Sequence, residues 1–90
     1  MRTDNPEKVA PETEMPADAV LDCRGLLCPL PLLKTQEALR GLQVGQVLEV
    51  LATDPQAEAD LRNWARQAGH EVEPLGRQDG IYRFRIRRAR

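Results

Sequence analysis

The stretch Cys28-Pro29-Leu30-Pro31 constrains this chain more than any other. A strand-like run, Ala19 to Cys23, leads into it through the link Arg24-Gly25-Leu26-Leu27, and a run with helical spacing follows from Leu32 to about Leu42. Proline suits the first turn of a helix, where its missing N–H would have had no intrahelical partner. Two prolines there fix φ twice and pin the helix start. Cys28 is then expected at the N-cap, on the positive end of the helix dipole. A thiol so placed should ionise more readily than a free cysteine, whose pKa is about 8.5. Pro29 and Pro31 have no N–H, so the Leu30 amide is the expected backbone donor to the sulfur.

The remaining elements follow from periodicity. Leu32, Thr35, Ala38, Leu39 and Leu42 share one side of the first helix, and Gly41 and Gly45 bracket its end. Gln46 to Thr53 alternates as a strand, with Leu48, Val50 and Ala52 on the core side and Glu49 turned to water. Asp54-Pro55 reads as an N-cap followed by proline at the first helical position. Ala57, Leu61, Trp64, Ala65 and Ala68 then form one apolar stripe, which places Trp64 in the core, and Gly69 stops the helix. His70 to Leu75 is a weaker strand whose Pro74 suits an edge. Asp79-Gly80 signals a hairpin. From Ile81 to Arg88, Tyr82, Phe84 and Ile86 point inward, while Arg83, Arg85 and Arg87 point outward, within reach of Glu71 and Glu73. The order β-α-β-α-β-β, with one polar sheet face, predicts an α/β two-layer sandwich: a four-stranded mixed sheet with both helices on one face.

Ninety residues suffice for one domain. Residues 1–18 carry two basic and five acidic side chains, three prolines and almost no large apolar groups, so a disordered tail is expected there and the folded domain over 19–90. A net charge of −1 gives no general attraction to nucleic acid. The C-terminal arginines read as a solvated strand face, since no aromatic is interleaved there to stack a base. Two cysteines make no disulfide scaffold, and no apolar run is long enough for a signal peptide or a membrane span. A cytoplasmic monomer with reduced thiols, no membrane contact and no cofactor is the expectation.

Leu21-Asp22-x-Arg24-Gly25-Leu26-x-Cys28-Pro29-x-Pro31 resembles the signature of the TusA/SirA-like sulfur-carrier family. Ala52-Thr53-Asp54-Pro55, Gly69-His70 and Tyr82-x-Phe84-x-Ile86-Arg87-Arg88 extend the resemblance over about residues 19–88. It implies a carrier that accepts sulfane sulfur as a persulfide on Cys28, with Arg24, Gly25, Pro29, Leu30 and Pro31 in support. It also implies a cysteine desulfurase or rhodanese-type protein as sulfur donor, and a downstream acceptor protein. The routes served in the family include tRNA thiolation, molybdenum-cofactor metabolism and sulfur oxidation. The acidic tail and Cys23 depart from the family's best-studied branch.

Several roles stay open at this level. Cys28 is a nucleophile or a small buried hydrophobe. Arg24 holds the thiolate or a donor's carboxylate by charge, or is simply solvated. Cys23 is an inert strand residue, a resolving thiol for Cys28, or half of a metal site, although Cys23, Cys28 and a distant His70 offer too few ligands for a metal. Three functions compete: a one-cysteine sulfur carrier, a dithiol redox protein using Cys23 and Cys28, and a non-catalytic regulatory module whose Cys-Pro-x-Pro is only a helix start.

Overall fold

The computed structural model describes residues 16–90; the expected tail lies outside the described residues except for its last three. Six elements follow in order: β1 (Ala19–Cys23), α1 (Leu30–Arg40), β2 (Val47–Ala52), α2 (Pro55–Ala68), β3 (Glu71–Gln78) and β4 (Ile81–Arg87). Local chemistry sets their ends. The Asp54 carboxylate caps α2 by accepting the Gln56 amide, Pro55 opens the helix, and Gly69 ends it in the left-handed region at φ +86°. Asp79 and Gly80, at φ +56° and +79°, turn the β3–β4 hairpin as an Asp-Gly pair should.

The sheet runs β1-β2-β4-β3, with β1 parallel to β2, and β4 antiparallel to both β2 and β3. Pro74 sits on the edge strand β3, beside a bulge at Pro74/Gly76. Both helices cover one face. There Leu48, Val50 and Ala52 of β2 meet Phe84 and Ile86 of β4, Leu39 of α1, and Ala57, Leu61 and Ala65 of α2.

Trp64 departs from the expected core position. It is half-buried at the rim of the cluster and stacks at a tilt on His70, with ring centroids 5.5 Å apart. The reason is angular: Ala57, Leu61 and Ala65 share the line facing the sheet, and position 64 lies beside it. Trp64→Ala should therefore cost about 2 kcal/mol, well below the value for a fully buried tryptophan. Thermal unfolding of the variant checks this.

The outer face also corrects an expectation. Of the outward arginines Arg83, Arg85 and Arg87, only Arg87 forms an ion pair across the hairpin, with Glu71. Arg83 and Arg85 turn to Glu49 on β2 instead, at 2.9 and 3.4 Å, because the register sets Glu49 opposite Arg85 and beside Arg83. Glu49 is consequently only 13% exposed, beneath two guanidinium groups. Arg88 is not part of a solvated face. Its guanidinium reaches the Leu39, Arg40 and Leu42 carbonyls and so satisfies the C-terminal end of α1, where a cation also suits the dipole. No helix among the described residues is long and apolar enough to cross a membrane.

Candidate functional site

β1 and β2 end side by side, with Cys23 opposite Ala52, so the two strand-to-helix junctions meet at one end of the sheet. Gly25 turns the first junction at φ +80°, and its amide donates to Thr53 Oγ1 of the second at 2.9 Å. Asp54 completes the tie. Its Oδ1 caps α2, while its Oδ2 accepts the Cys28 amide at 3.0 Å. One carboxylate thus starts a helix and fixes the backbone of the thiol. Asp54→Ala should lower stability by about 1–2 kcal/mol, and Asp54→Asn, which keeps an acceptor, by less. At about 4–8 °C per kcal/mol in a domain of this size, thermal unfolding separates the two.

Cys28 is exposed and its peptide bond to Pro29 is cis. The N-cap of α1 is Pro29, not Cys28, and the helix begins at Leu30 with Pro31, buried, at its second position. The Leu30 amide expected to face the sulfur is taken by the Leu27 carbonyl at 2.9 Å. The thiol itself donates to Asp60 Oδ2 at 2.9 Å, and the other oxygen of that carboxylate accepts from Gln56 Nε2 at 3.1 Å. This reverses the expected electrostatics. The hydrogen bond to Asp60 pushes the thiol pKa up, and partial desolvation and the negative charges of Asp60 and Asp54 add to it. The same bond and that from Gln56 push the Asp60 carboxyl down, so Asp60 stays ionised beside the thiol.

Arg24 is not free to hold a thiolate. Its Nε and NH2 form a fork on Asp22 at 2.9 and 2.7 Å, and its amide donates to the same carboxylate at 3.0 Å. The Asp22 carboxyl is drawn down to about 2. Cys23 is fully buried in the core cluster, and burial pushes its thiol pKa up. His70 accepts the Ala89 amide on Nδ1 at 3.1 Å, which leaves the proton on Nε2. Burial, with Arg88 and Arg90 nearby, pushes its pKa down. No three His, Cys, Asp or Glu side chains come together as a metal-binding group among the described residues.

Asp54 and Asp60 face Cys28 from the α2 side, while on its own segment Leu27 is 70% exposed and Leu30 and Leu33 are 46% and 52% exposed. Two surface hollows lie elsewhere. One, of about 630 Å³, lies on the outer sheet face beside Val47, Glu71 and Arg85; the other, of about 190 Å³, lies beside Trp64, His70 and Arg88. Cys28 is thus an exposed surface thiol, and it lines neither of these hollows.

The sequence reading identified Asp54 as a cap but missed its second bond, and it missed Thr53, Gln56 and Asp60 as parts of the site. The one local signal for the last two was their i, i+4 spacing on the polar side of α2.

A sequence model of the family described as Sulfurtransferase TusA matches residues 19–88. YrkI of Bacillus subtilis is 40% identical over 74 residues, spanning 82% of this chain and 99% of that protein. The sulfur carrier protein TusA of Allochromatium vinosum is 39% identical over 72 residues, spanning 80% of this chain and 95% of its own. The crystal structure of a SirA-like protein from Desulfitobacterium hafniense superposes with a TM-score of 0.72 at 26% identity, covering 80% of this chain and 99% of that one.

Proposed function

Because the chain belongs to the TusA sulfurtransferase family, we propose that it is a sulfur carrier that holds sulfane sulfur as a persulfide on Cys28 and relays it to a partner protein. The observation that carries this reading is the exposed Cys28 thiol, fixed at its backbone by Asp54 and rimmed by exposed leucines. A relay between proteins needs a sulfur that a second protein can reach, and access governs the rate of thiol exchange.

The exchange balances without net oxidation. The Cys28 sulfur attacks the terminal sulfur of a donor persulfide. The donor S–S bond breaks as a new bond forms at Cys28 Sγ, and the electron pair leaves with the donor thiolate. The Cys28 proton ends on that thiolate. The reverse arrangement hands the sulfur on to an acceptor thiol. A cysteine desulfurase or a rhodanese-type protein fits as donor, and Leu27, Leu30 and Leu33 supply apolar contact area for either partner. We assign the relay to a cytoplasmic monomer. The dithiol alternative is disfavoured because Cys23 is fully buried on the core face, whereas a resolving thiol must reach its partner.

Incubation with a cysteine desulfurase and cysteine, followed by intact-mass measurement, tests the proposal. A gain equal to one sulfur atom, lost on reduction, is the expected result. No gain from either a desulfurase or a rhodanese-type donor overturns it.

A further inference from the structure

We propose that Asp60 is a positioning residue for this relay: its carboxylate holds the empty Cys28 as a protonated thiol turned toward α2 and drives the loaded persulfide away, so that sulfur is presented outward only when there is sulfur to give. This rests on the carrier function proposed above.

The geometry supplies both halves. In the empty protein the thiol donates to Asp60 Oδ2 at 2.9 Å. Gln56, one helical turn earlier, holds Oδ1 at 3.1 Å, so the carboxylate is fixed in place. The other charged group acting on the sulfur is Asp54, also an acid, whose Oδ2 is bound to the Cys28 amide. Arg24, the neighbouring cation in sequence, is held by Asp22. The sulfur therefore faces two carboxylates with no cation bound to either among the described residues.

Loading changes the sign of this contact. Once Sγ is bonded to a second sulfur it has no proton to donate, and the hydrogen bond is lost. A persulfide is a stronger acid than a thiol, so its terminal sulfur is anionic at neutral pH. A fixed carboxylate at hydrogen-bond distance repels it. Cys28 is exposed, so rotation about its Cα–Cβ bond toward solvent meets little resistance. The carboxylate that quiets the empty thiol thus turns the loaded one outward.

Asp60→Asn in the full chain separates charge from shape, since the amide oxygen can still accept the thiol proton. Iodoacetamide, a neutral electrophile, is the probe, and the Cys28 peptide is read by mass across a pH series. For the empty protein, Asp60→Asn should shift the alkylation profile to lower pH and raise the rate severalfold at neutral pH. For the loaded protein it should slow alkylation of the terminal sulfur severalfold, because the persulfide is no longer driven out. Asp60→Glu, which keeps the charge, should restore both rates toward wild type. Opposite effects on the two forms are not expected of a residue that only supports the fold. An unchanged profile for the empty form, or both forms speeding up together, in a variant with a wild-type circular dichroism spectrum and normal loading overturns the role of Asp60 alone. Failure of the wild-type protein to load overturns the carrier reading, and this one with it.

Discussion

Cys28→Ser takes up no sulfur from a donor that loads the wild-type protein, and it stays folded: this is the largest functional effect expected of any single substitution. Serine can make the same hydrogen bond to Asp60, so the turn should persist, and an exposed position of this kind usually changes stability by no more than about 0.5 kcal/mol. What is lost is the nucleophile, since a hydroxyl does not attack sulfane sulfur at neutral pH. The companion variant should be Cys23→Ala. Serine at position 23 would place an unsatisfied hydroxyl in a fully buried site, at a cost of about 1–3 kcal/mol, and would confuse misfolding with lost chemistry. Cys23→Ala should load and transfer at near the wild-type rate. A folded Cys23→Ala protein that fails to load would promote the dithiol mechanism over the one-cysteine carrier.

Phe84→Ala should have the largest structural effect. Phe84 is fully buried on β4, paired with Val50 on one side and Pro74 on the other, at the centre of the sheet face that both helices cover. Truncation of a buried aromatic costs about 3–5 kcal/mol, against a total stability of about 5–15 kcal/mol for ordinary domains. The thermal midpoint should fall by roughly 12 °C or more. The contrast with Trp64→Ala makes the pair informative: the larger side chain should matter less because it lies at the rim. Equal losses in the two variants would mean that the core is centred closer to α2 than the structure places it.

Most of the fold was legible because each element carries its own period and punctuation. β1 over Ala19–Cys23 and α2 over Pro55–Ala68, with its Gly69 stop, were readable within the residues that form them. The misplaced arginines share a cause. Arg83, Arg85 and Arg88 find partners set by packing or register between distant segments: Arg83 reaches Glu49, 34 residues away, and Arg88 reaches the end of α1. Trp64 is a local matter, since its place beside the line of Ala57, Leu61 and Ala65 is set within α2. The site divides in the same way. Cys28 and its two prolines are a local pattern, legible within four residues. Asp60 meets the thiol from 32 residues away, and no spacing rule joins them. That contact also reverses the expected electrostatics. A helix start favours a thiolate in isolation, but an ionised carboxylate at hydrogen-bond distance opposes it more strongly.

The strand order β1-β2-β4-β3 bears on which segment completes the fold. The last described strand in sequence, β4, is an interior one, and β3 has β4 as its sole sheet neighbour among the described residues. A chain truncated before Ile81 can pair β1 with β2 but leaves β2 with an open edge, β3 without a partner, and the cluster without Phe84 and Ile86. Non-local pairing of this kind forms slowly, because loop-closure entropy must be met first. In such a chain Cys23 has no finished core to shelter it, so both cysteines stand open to oxidants. Peroxide or diamide should therefore modify Cys23 in a chain truncated before Ile81 and spare it in the full-length protein, a difference that mass mapping of the two thiols would register.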